Sequence, residues 1–304
     1  MRALNWFLGL FLVAFAAIAV FAYPAWIFVD SFHHAPFHRV ASRVGLLTLA
    51  IGLFFVARHL RIADRISLGF GLRRQQFLRE MLLALALGIL SMIPLATLML
   101  AWELRTAPEA LPLTTIMATI LKGLLSGITI AILEETFMRG AMYSAVERAS
   151  GARLAVISTA MLYAAMHFLS RYRIPPQELS WASGLELVRG SLQTFAHPLP
   201  VLDAFVCLVA VGVLLALVRR QTGSIAACIG LHAGWVTVIA SIRHLTDVNA
   251  AHPAAGLLSS HDGFVGYLTL AWVIVAGVLL YRFYDFDSAR EVSPHSAERV
   301  TRGA

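Results

Sequence analysis

Long apolar runs separated by short polar segments dominate this chain. A helix needs about 20 apolar residues to cross a bilayer, because the hydrocarbon core is about 30 Å thick and each residue adds about 1.5 Å. The sequence contains eight such candidate spans, at about 4–29, 42–58, 81–102, 113–138, 154–174, 199–218, 223–242 and 264–284. The pattern therefore predicts an all-α, polytopic integral membrane protein of about eight transmembrane helices.

Composition supports this prediction. Apolar residues make up 59% of the 304 residues and charged residues 13%, against about 45–50% and about 25% in soluble proteins. A soluble enzyme, a disordered chain and a disulfide-rich secreted domain are therefore excluded. The two cysteines, Cys207 and Cys228, lie inside apolar runs, which is typical of small core residues.

The domain organisation follows from the same pattern. No repeat, low-complexity tract or linker divides the apolar spans, so residues 1–288 are expected to form a single transmembrane helical domain. The polar segment 289–304 is expected to be a disordered cytoplasmic tail. The first apolar run is longer than the h-region of about 7–15 residues in a cleaved signal peptide, so we expect it to be a retained span.

The distribution of arginine predicts the orientation in the membrane. The 24 basic residues exceed the 17 acidic ones, and six arginines cluster after the second span: Arg58, Arg61, Arg65, Arg73, Arg74 and Arg79. Positively charged segments stay on the cytoplasmic side, where they also attract anionic lipid. We therefore expect both termini and an amphipathic stretch at 59–80 to be cytoplasmic, and the loops 103–112, 171–198 and 243–262 to lie outside. The expected location is a bacterial inner membrane, with the lipid bilayer and not nucleic acid as the partner of the basic charge.

Ionisable side chains inside the spans are the candidates for chemistry. A charged residue at the centre of a span costs about 2.5–3.5 kcal/mol on insertion scales. The fourth span holds Glu134, Glu135 and Arg139. Glu135 and Arg139 are four residues apart in the order that favours a helical ion pair, whereas Glu134 lies about 100° round the helix. The two helix faces are consistent with one glutamate that has a structural role and one that takes part in acid–base chemistry. The alternative interpretation is that these charged side chains lie at the inner end of the span and extend to the membrane interface.

Two histidines complete the candidate set. His167 and His232 lie in the fifth and seventh spans beside alanine and glycine, and small residues let helices approach closely. Each histidine alone is more typical of a hydrogen-bonded core group than of a ligand. If the three spans converge, Glu134, His167 and His232 form either a site for a divalent metal such as zinc, with one open position, or a metal-free general base with histidine support.

These motifs, taken in order, resemble a known family. Glu134-Glu135-x-x-x-Arg139, then Tyr163-x-x-x-His167, then His232 on a later span is similar to the CAAX prenyl endopeptidases and bacteriocin-processing enzymes, which are intramembrane proteases of the type II CAAX class. The resemblance covers about 113–242, the expected protease core.

The resemblance implies an intramembrane endopeptidase that hydrolyses a peptide bond in a peptide or membrane-associated protein. The substrate is expected to enter from the membrane or from the inner face. Glu134 matches the glutamate that activates water, Glu135 and Arg139 match its supporting positions, and His167 and His232 match the two histidines of the family. The family has been described both as metalloproteases and as metal-free glutamate proteases, so the cofactor is either a divalent metal or none.

The chain departs from the family pattern at two positions. Tyr163 replaces the usual phenylalanine, and Val236 replaces a polar residue four positions after the second histidine. Valine cannot donate a hydrogen bond to a developing oxyanion, which favours an alternative function as a non-catalytic membrane scaffold or regulator. A second alternative is a proton-coupled small-solute carrier in which Glu134 and His167 relay protons.

Overall fold

The structure, a computed structural model, describes residues 2–169 and 172–283, and helices dominate it. The α-helices are α1 (Arg2–Asp30), α2 (Phe37–His59), α3 (Arg74–Ala101), α4 (Leu113–Glu135), α5 (Tyr143–Ser150), α6 (Ala152–Met166), α7 (Ser183–Ala196), α8 (Leu202–Thr222), α9 (Ala226–Leu245) and α10 (Tyr267–Phe283). The two short strands β1 (Arg105–Thr106) and β2 (Asp247–Val248) pair antiparallel. The predicted tail at 289–304 lies outside the described residues.

The apolar helices confirm an all-α membrane fold. Within the described chain, 6 helical stretches have the length and composition to cross a membrane, and α6 and α10 are shorter apolar helices. Large apolar side chains on α1 and α2 are well exposed, for example Phe28 at 69% and Phe55 at 63%. Such surfaces are stable against lipid but not against water. The predicted number of eight full-length spans is not confirmed.

The helix boundaries correct two predictions. The span predicted at 154–174 ends at Met166, because the chain turns there. The region 171–198, expected as an outer loop, contains α7, which packs on α1 so closely that a Cβ at Gly184 would lie 2.5 Å from the carbonyl oxygen of Ile18. The amphipathic stretch expected at 59–80 is mostly a loop, and α3 begins at Arg74; its cytoplasmic location stays a prediction.

One continuous helix carries the two glutamates. The sequence predicts a fourth span that ends at about 138, but α4 continues through a π-helical segment (Thr136–Met142) into α5. The whole stretch Leu113–Ser150 is 38 residues long. Glu134 and Glu135 therefore lie inside a helix and not at its end. π-Helical turns inside α-helices occur frequently at functional sites.

The loop between α2 and α3 holds the π segment in place. A Cβ at Gly140 would lie 2.8 Å from the carbonyl oxygen of Leu68, so only glycine permits this approach. The Ser144 hydroxyl donates a hydrogen bond of 2.6 Å to the carbonyl oxygen of Ser67. Ser67 in turn donates through its hydroxyl and its backbone N–H to Asp64, and these hydrogen bonds lower the pKa of the Asp64 carboxyl.

Glycines bring α3 and α9 into backbone contact, and α9 carries His232. A Cβ at Gly88 would lie 2.7 Å from the carbonyl oxygen of Leu231, and one at Gly234 would lie 2.6 Å from that of Leu85. Small residues at such crossings allow the van der Waals contact that drives helix association in membranes. The position of His232 therefore depends on this glycine contact.

Replacement of Gly88 by alanine should destabilise the protein. The added methyl group meets backbone atoms of α9, which cannot move independently, and overpacking of this kind costs about 1–3 kcal/mol. The measurement is the melting temperature in detergent. Gly9→Ala is the matched control, because a Cβ at Gly9 meets nothing within 4 Å and alanine favours a helix over glycine. Equal melting temperatures for the two variants would contradict the role of the glycine contact.

Candidate active site

A buried carboxylate oxygen of Glu135 organises the site. Its Oε1 accepts a hydrogen bond of 2.9 Å from Arg139 and another of 2.8 Å from His232 Nδ1. The Glu135 and Arg139 side chains are fully buried and that of His232 is 3% exposed. Because Glu135 accepts from both partners, it joins the α4 end of the long helix to α9.

Arg139 extends these contacts to two more helices. Its NH2 donates a hydrogen bond of 3.2 Å to the carbonyl oxygen of Gly212 in α8. Its guanidinium lies 4.6 Å from the centre of the Tyr163 ring in α6, a cation–π distance. The carbonyl oxygen of Arg139 also accepts a bond of 3.0 Å from the buried side chain of Arg219. Glu135 and Arg139 therefore tie four helical elements together.

His232 lies between the two glutamates. The carboxylate of Glu135 accepts, so we assign the proton on His232 to Nδ1, which leaves Nε2 directed to the other side. That Nε2 lies 3.9 Å from Glu134 Oε2, which is an ion-pair distance and too long for a hydrogen bond. His232 thus connects the buried Glu135 with Glu134 at the cavity.

Tyr163 lies between the two histidines. The His167 Nδ1 lies 2.8 Å from the carbonyl oxygen of Tyr163; since a carbonyl only accepts, His167 Nδ1 is the donor and its Nε2 is left for other partners. The Tyr163 ring contacts the His167 ring at 4.6 Å and the His232 ring at 5.9 Å between centroids. The ring of Tyr163 therefore sets the spacing of the two imidazoles.

Glu134 and His167 line one cavity of about 350 Å³. The other lining residues are Phe11, Ala14, Phe15, Ile18, His38, Ser42, Gly45, Leu46, Leu49, Met166, Leu169, Tyr172, Leu187, Val188 and Ser191. The Glu134 side chain is 38% exposed, yet its Oε2 is buried and has no hydrogen-bond partner among the described residues. A carboxylate oxygen without a donor, beside an apolar cavity, is suited to accept a proton from water.

The structure thus brings the five candidate residues to one region in different settings. Glu135, Arg139 and His232 form a buried hydrogen-bonded group, whereas Glu134 and His167 face the cavity. Four further polar side chains line the cavity and are not among the residues that the sequence analysis singles out. These are His38, Ser42, Tyr172 and Ser191. His38 lies in the first turn of α2.

The arrangement does not fit the metal site that the sequence left open. Zinc needs three protein donors about 2.0–2.2 Å from one point. Among the residues that the structure describes, no group of three or more histidine, cysteine, aspartate or glutamate side chains is placed to hold a metal ion. The proposed ligand set of Glu134, His167 and His232 is therefore not supported by the donor positions.

The neighbours of Val236 do not replace its missing donor. The Trp235 indole N–H donates to the Ser91 hydroxyl at 3.1 Å. The Thr237 hydroxyl donates to the carbonyl oxygen of Ala233 at 2.7 Å. Both donors are therefore already engaged in hydrogen bonds within the protein, and an oxyanion would need a donor from another residue.

Comparison with known proteins shows that this region is similar to one protein family. Residues 116–238 match the model of the family described as type II CAAX prenyl endopeptidase Rce1-like. This range contains all five candidate residues, and it confirms the resemblance found in the sequence. No curated protein and no solved structure matches the chain. The match covers 123 of the 304 residues, and the apolar helices show an integral membrane protein.

Glu135→Gln and Arg139→Gln should both destabilise the protein strongly. Each change leaves a buried charge without its partner, and this costs about 3–5 kcal/mol. The measurement is the melting temperature and the yield of folded protein in detergent. Glu134→Gln is the matched control, because it changes the adjacent residue without removing a hydrogen bond of Oε2. If all three variants melt alike, Glu135 does not have the structural role assigned to it.

Proposed function

We propose that this protein is an intramembrane endopeptidase in which Glu134 activates the attacking water. The observation that carries the proposal is the Glu134 carboxylate, whose Oε2 lacks a hydrogen-bond donor at the edge of a cavity shared with His167. The match of residues 116–238 to a protease family supports the same reaction class.

In the proposed first step, Glu134 takes a proton from a water molecule in the cavity. The resulting hydroxide attacks the carbonyl carbon of the scissile peptide bond and forms a tetrahedral intermediate. When the C–N bond breaks, protonated Glu134 returns its proton to the leaving amine. This cycle needs a carboxylate that changes its protonation state, so Glu134 and not the ion-paired Glu135 is the suitable base.

The histidines are proposed to support this cycle. The Nδ1 of His167 is held by the Tyr163 carbonyl, so its Nε2 is the atom available to the substrate. In its protonated form His167 donates to the oxygen that gains negative charge, and this supplies a donor that Val236 cannot. His232 is held by Glu135 and positions a second nitrogen near Glu134.

The proposed substrate is a peptide or a membrane-associated protein segment. The cavity walls are mostly apolar, with phenylalanine, leucine and isoleucine side chains from α1 and α2. Such walls favour a polypeptide with an apolar portion, because apolar side chains are stabilised by burial against apolar walls.

A non-catalytic membrane scaffold is a second candidate, and the residues around Val236 favour it. The donors of Trp235 and Thr237 are engaged elsewhere, so the site lacks one element of oxyanion stabilisation. A scaffold would keep the buried Glu135 group for stability and would not require Glu134. The next experiment therefore separates the two candidates.

Glu134→Gln should lower turnover by about 10²–10⁴ while the protein stays folded, because the change keeps the shape and removes the general base. The measurement is the turnover per folded molecule on membrane-protein substrates found by comparing the membrane peptidomes of wild-type and variant cells. Glu109→Gln, in an exposed loop, is the control. Identical peptidomes for wild type and Glu134→Gln would favour the scaffold.

Turnover should persist after removal of divalent metals. The donor positions do not form a three-ligand group, so we expect the residues of the chain to carry the reaction. The measurement compares activity and metal content before and after treatment with a chelator. A loss of activity that added zinc restores, without a change in melting temperature, would show that the side chains rearrange around a metal.

A further inference from the structure

Loop contacts define the arginine-rich end of this protein. The Ile225 N–H donates to the Gly69 carbonyl oxygen at 3.1 Å, and Arg148 donates to the Arg61 carbonyl oxygen at 3.2 Å. These bonds join the α2–α3, α5–α6 and α8–α9 connections at one end. The arginines of these connections and the adjoining helix ends are Arg58, Arg61, Arg65, Arg73, Arg74, Arg148, Arg153, Arg219 and Arg220. The positive-inside tendency assigns this end to the cytoplasm.

The candidate catalytic cavity extends toward the other end. Beyond Glu134, its walls come from the middle of α1, the first half of α2, the chain that follows α6, and α7. None of its lining residues belongs to the arginine-rich connections. The cavity therefore leads away from the arginine-rich end.

A second pocket, of about 670 Å³, adjoins the cavity at that end. His38 lines both of them. The second pocket also includes Asp30, His34 and Arg173, which supply side chains of both charge signs, and several proline and apolar residues. The His38 imidazole thus stands between an apolar cavity that holds Glu134 and a more polar pocket near the α1–α2 turn.

We propose that the substrate reaches Glu134 from the outer face of the membrane, past His38. The sequence analysis expects entry from the membrane or from the inner face, and the proposal replaces the inner face. The substrate class is a polypeptide with an apolar segment in the outer leaflet and a polar segment in the outer compartment. Its apolar segment occupies the Glu134 cavity, and its polar segment lies in the pocket of Asp30, His34 and Arg173. This inference rests on the proposed endopeptidase function.

Charge and polarity along the path support this substrate class. The Glu134 cavity is bounded mainly by apolar side chains, and Ser42 and Ser191 are neutral polar groups in its wall. The second pocket holds the Asp30 carboxylate, the His34 imidazole 3.4 Å from it, and the Arg173 guanidinium. It therefore suits the backbone and polar side chains of an extended peptide. A substrate from the cytoplasm would instead have to pass the hydrogen-bonded loops at the arginine-rich end.

Single introduced cysteines test the direction of access without any need for activity. Ser42→Cys places a thiol on the cavity wall, and Ile66→Cys places one at the arginine-rich end, where Ile66 is 49% exposed. The native Cys207 and Cys228 are both buried, so the wild-type chain gives the background. A membrane-impermeant maleimide is applied to right-side-out spheroplasts and to inverted vesicles.

We expect Ser42→Cys to be labelled in spheroplasts and Ile66→Cys in inverted vesicles. Adding His38→Trp should slow the labelling of Ser42→Cys severalfold, because the larger ring narrows the passage, whereas His38→Ala should not. Labelling of Ser42→Cys from the inner face only, or from neither face, would overturn the proposed path.

A second measurement connects the path to the substrate. A bulky maleimide on Ser42→Cys, added from the outer face, should abolish most cleavage of a membrane-anchored substrate, while the same reagent on Ile66→Cys added to inverted vesicles should not. Full cleavage after complete labelling of Ser42→Cys would overturn the path. If the unlabelled variants and the wild type all fail to cleave, the proposed function is wrong, and the labelling pattern still decides the direction of access.

Discussion

The buried Oε1 atom of Glu135 is the point on which the rest of the site depends. It accepts from Arg139 and from His232 at the same time, and Arg139 continues to α8 and to the Tyr163 ring in α6. Removal of two charges from water is expensive, and only close geometry with further hydrogen bonds offsets that cost. The main effect of the Glu135–Arg139 ion pair is therefore to fix the relative positions of four helical elements, and its net contribution to the free energy of folding is small.

Two adjacent glutamates acquire different properties because neighbouring positions on a helix face different directions. Each carboxylate has one oxygen without a hydrogen-bond partner. The fully buried Glu135 accepts from two partners through its other oxygen, whereas Glu134 lines the cavity. His232 contacts both, since its two ring nitrogens point to opposite sides. The same rigid group that buries one carboxylate thus holds the other in an environment where it gains a hydrogen bond only from a visiting molecule.

The sequence predicts the class of fold and the residues of the site better than their surroundings. The apolar runs identify an all-α membrane protein because lipid imposes a strong and local constraint on composition, and the spacing of Glu135 and Arg139 predicts their contact. The π segment, the helix α7 and the wall residue His38 could not be predicted. Each depends on contacts between distant parts of the chain, such as the packing of Gly184 on α1 and of Gly140 on the α2–α3 loop.

Chain length, and not only residue identity, constrains the long helix, and the π segment relaxes this constraint locally. A π turn accommodates more residues per turn than an α-helix, so the loss of one residue between Thr136 and Met142 would be absorbed by a return to regular α-helix. The helix that follows would then keep nearly the same orientation relative to Glu134. Loss of one residue from the regular part of α4 would instead rotate everything after it by about 100° relative to the part before it. Gly140 and Ser144 would then leave the loop that they contact. In evolution, a change of length in α4 would therefore alter the site as much as a substitution of its charged residues.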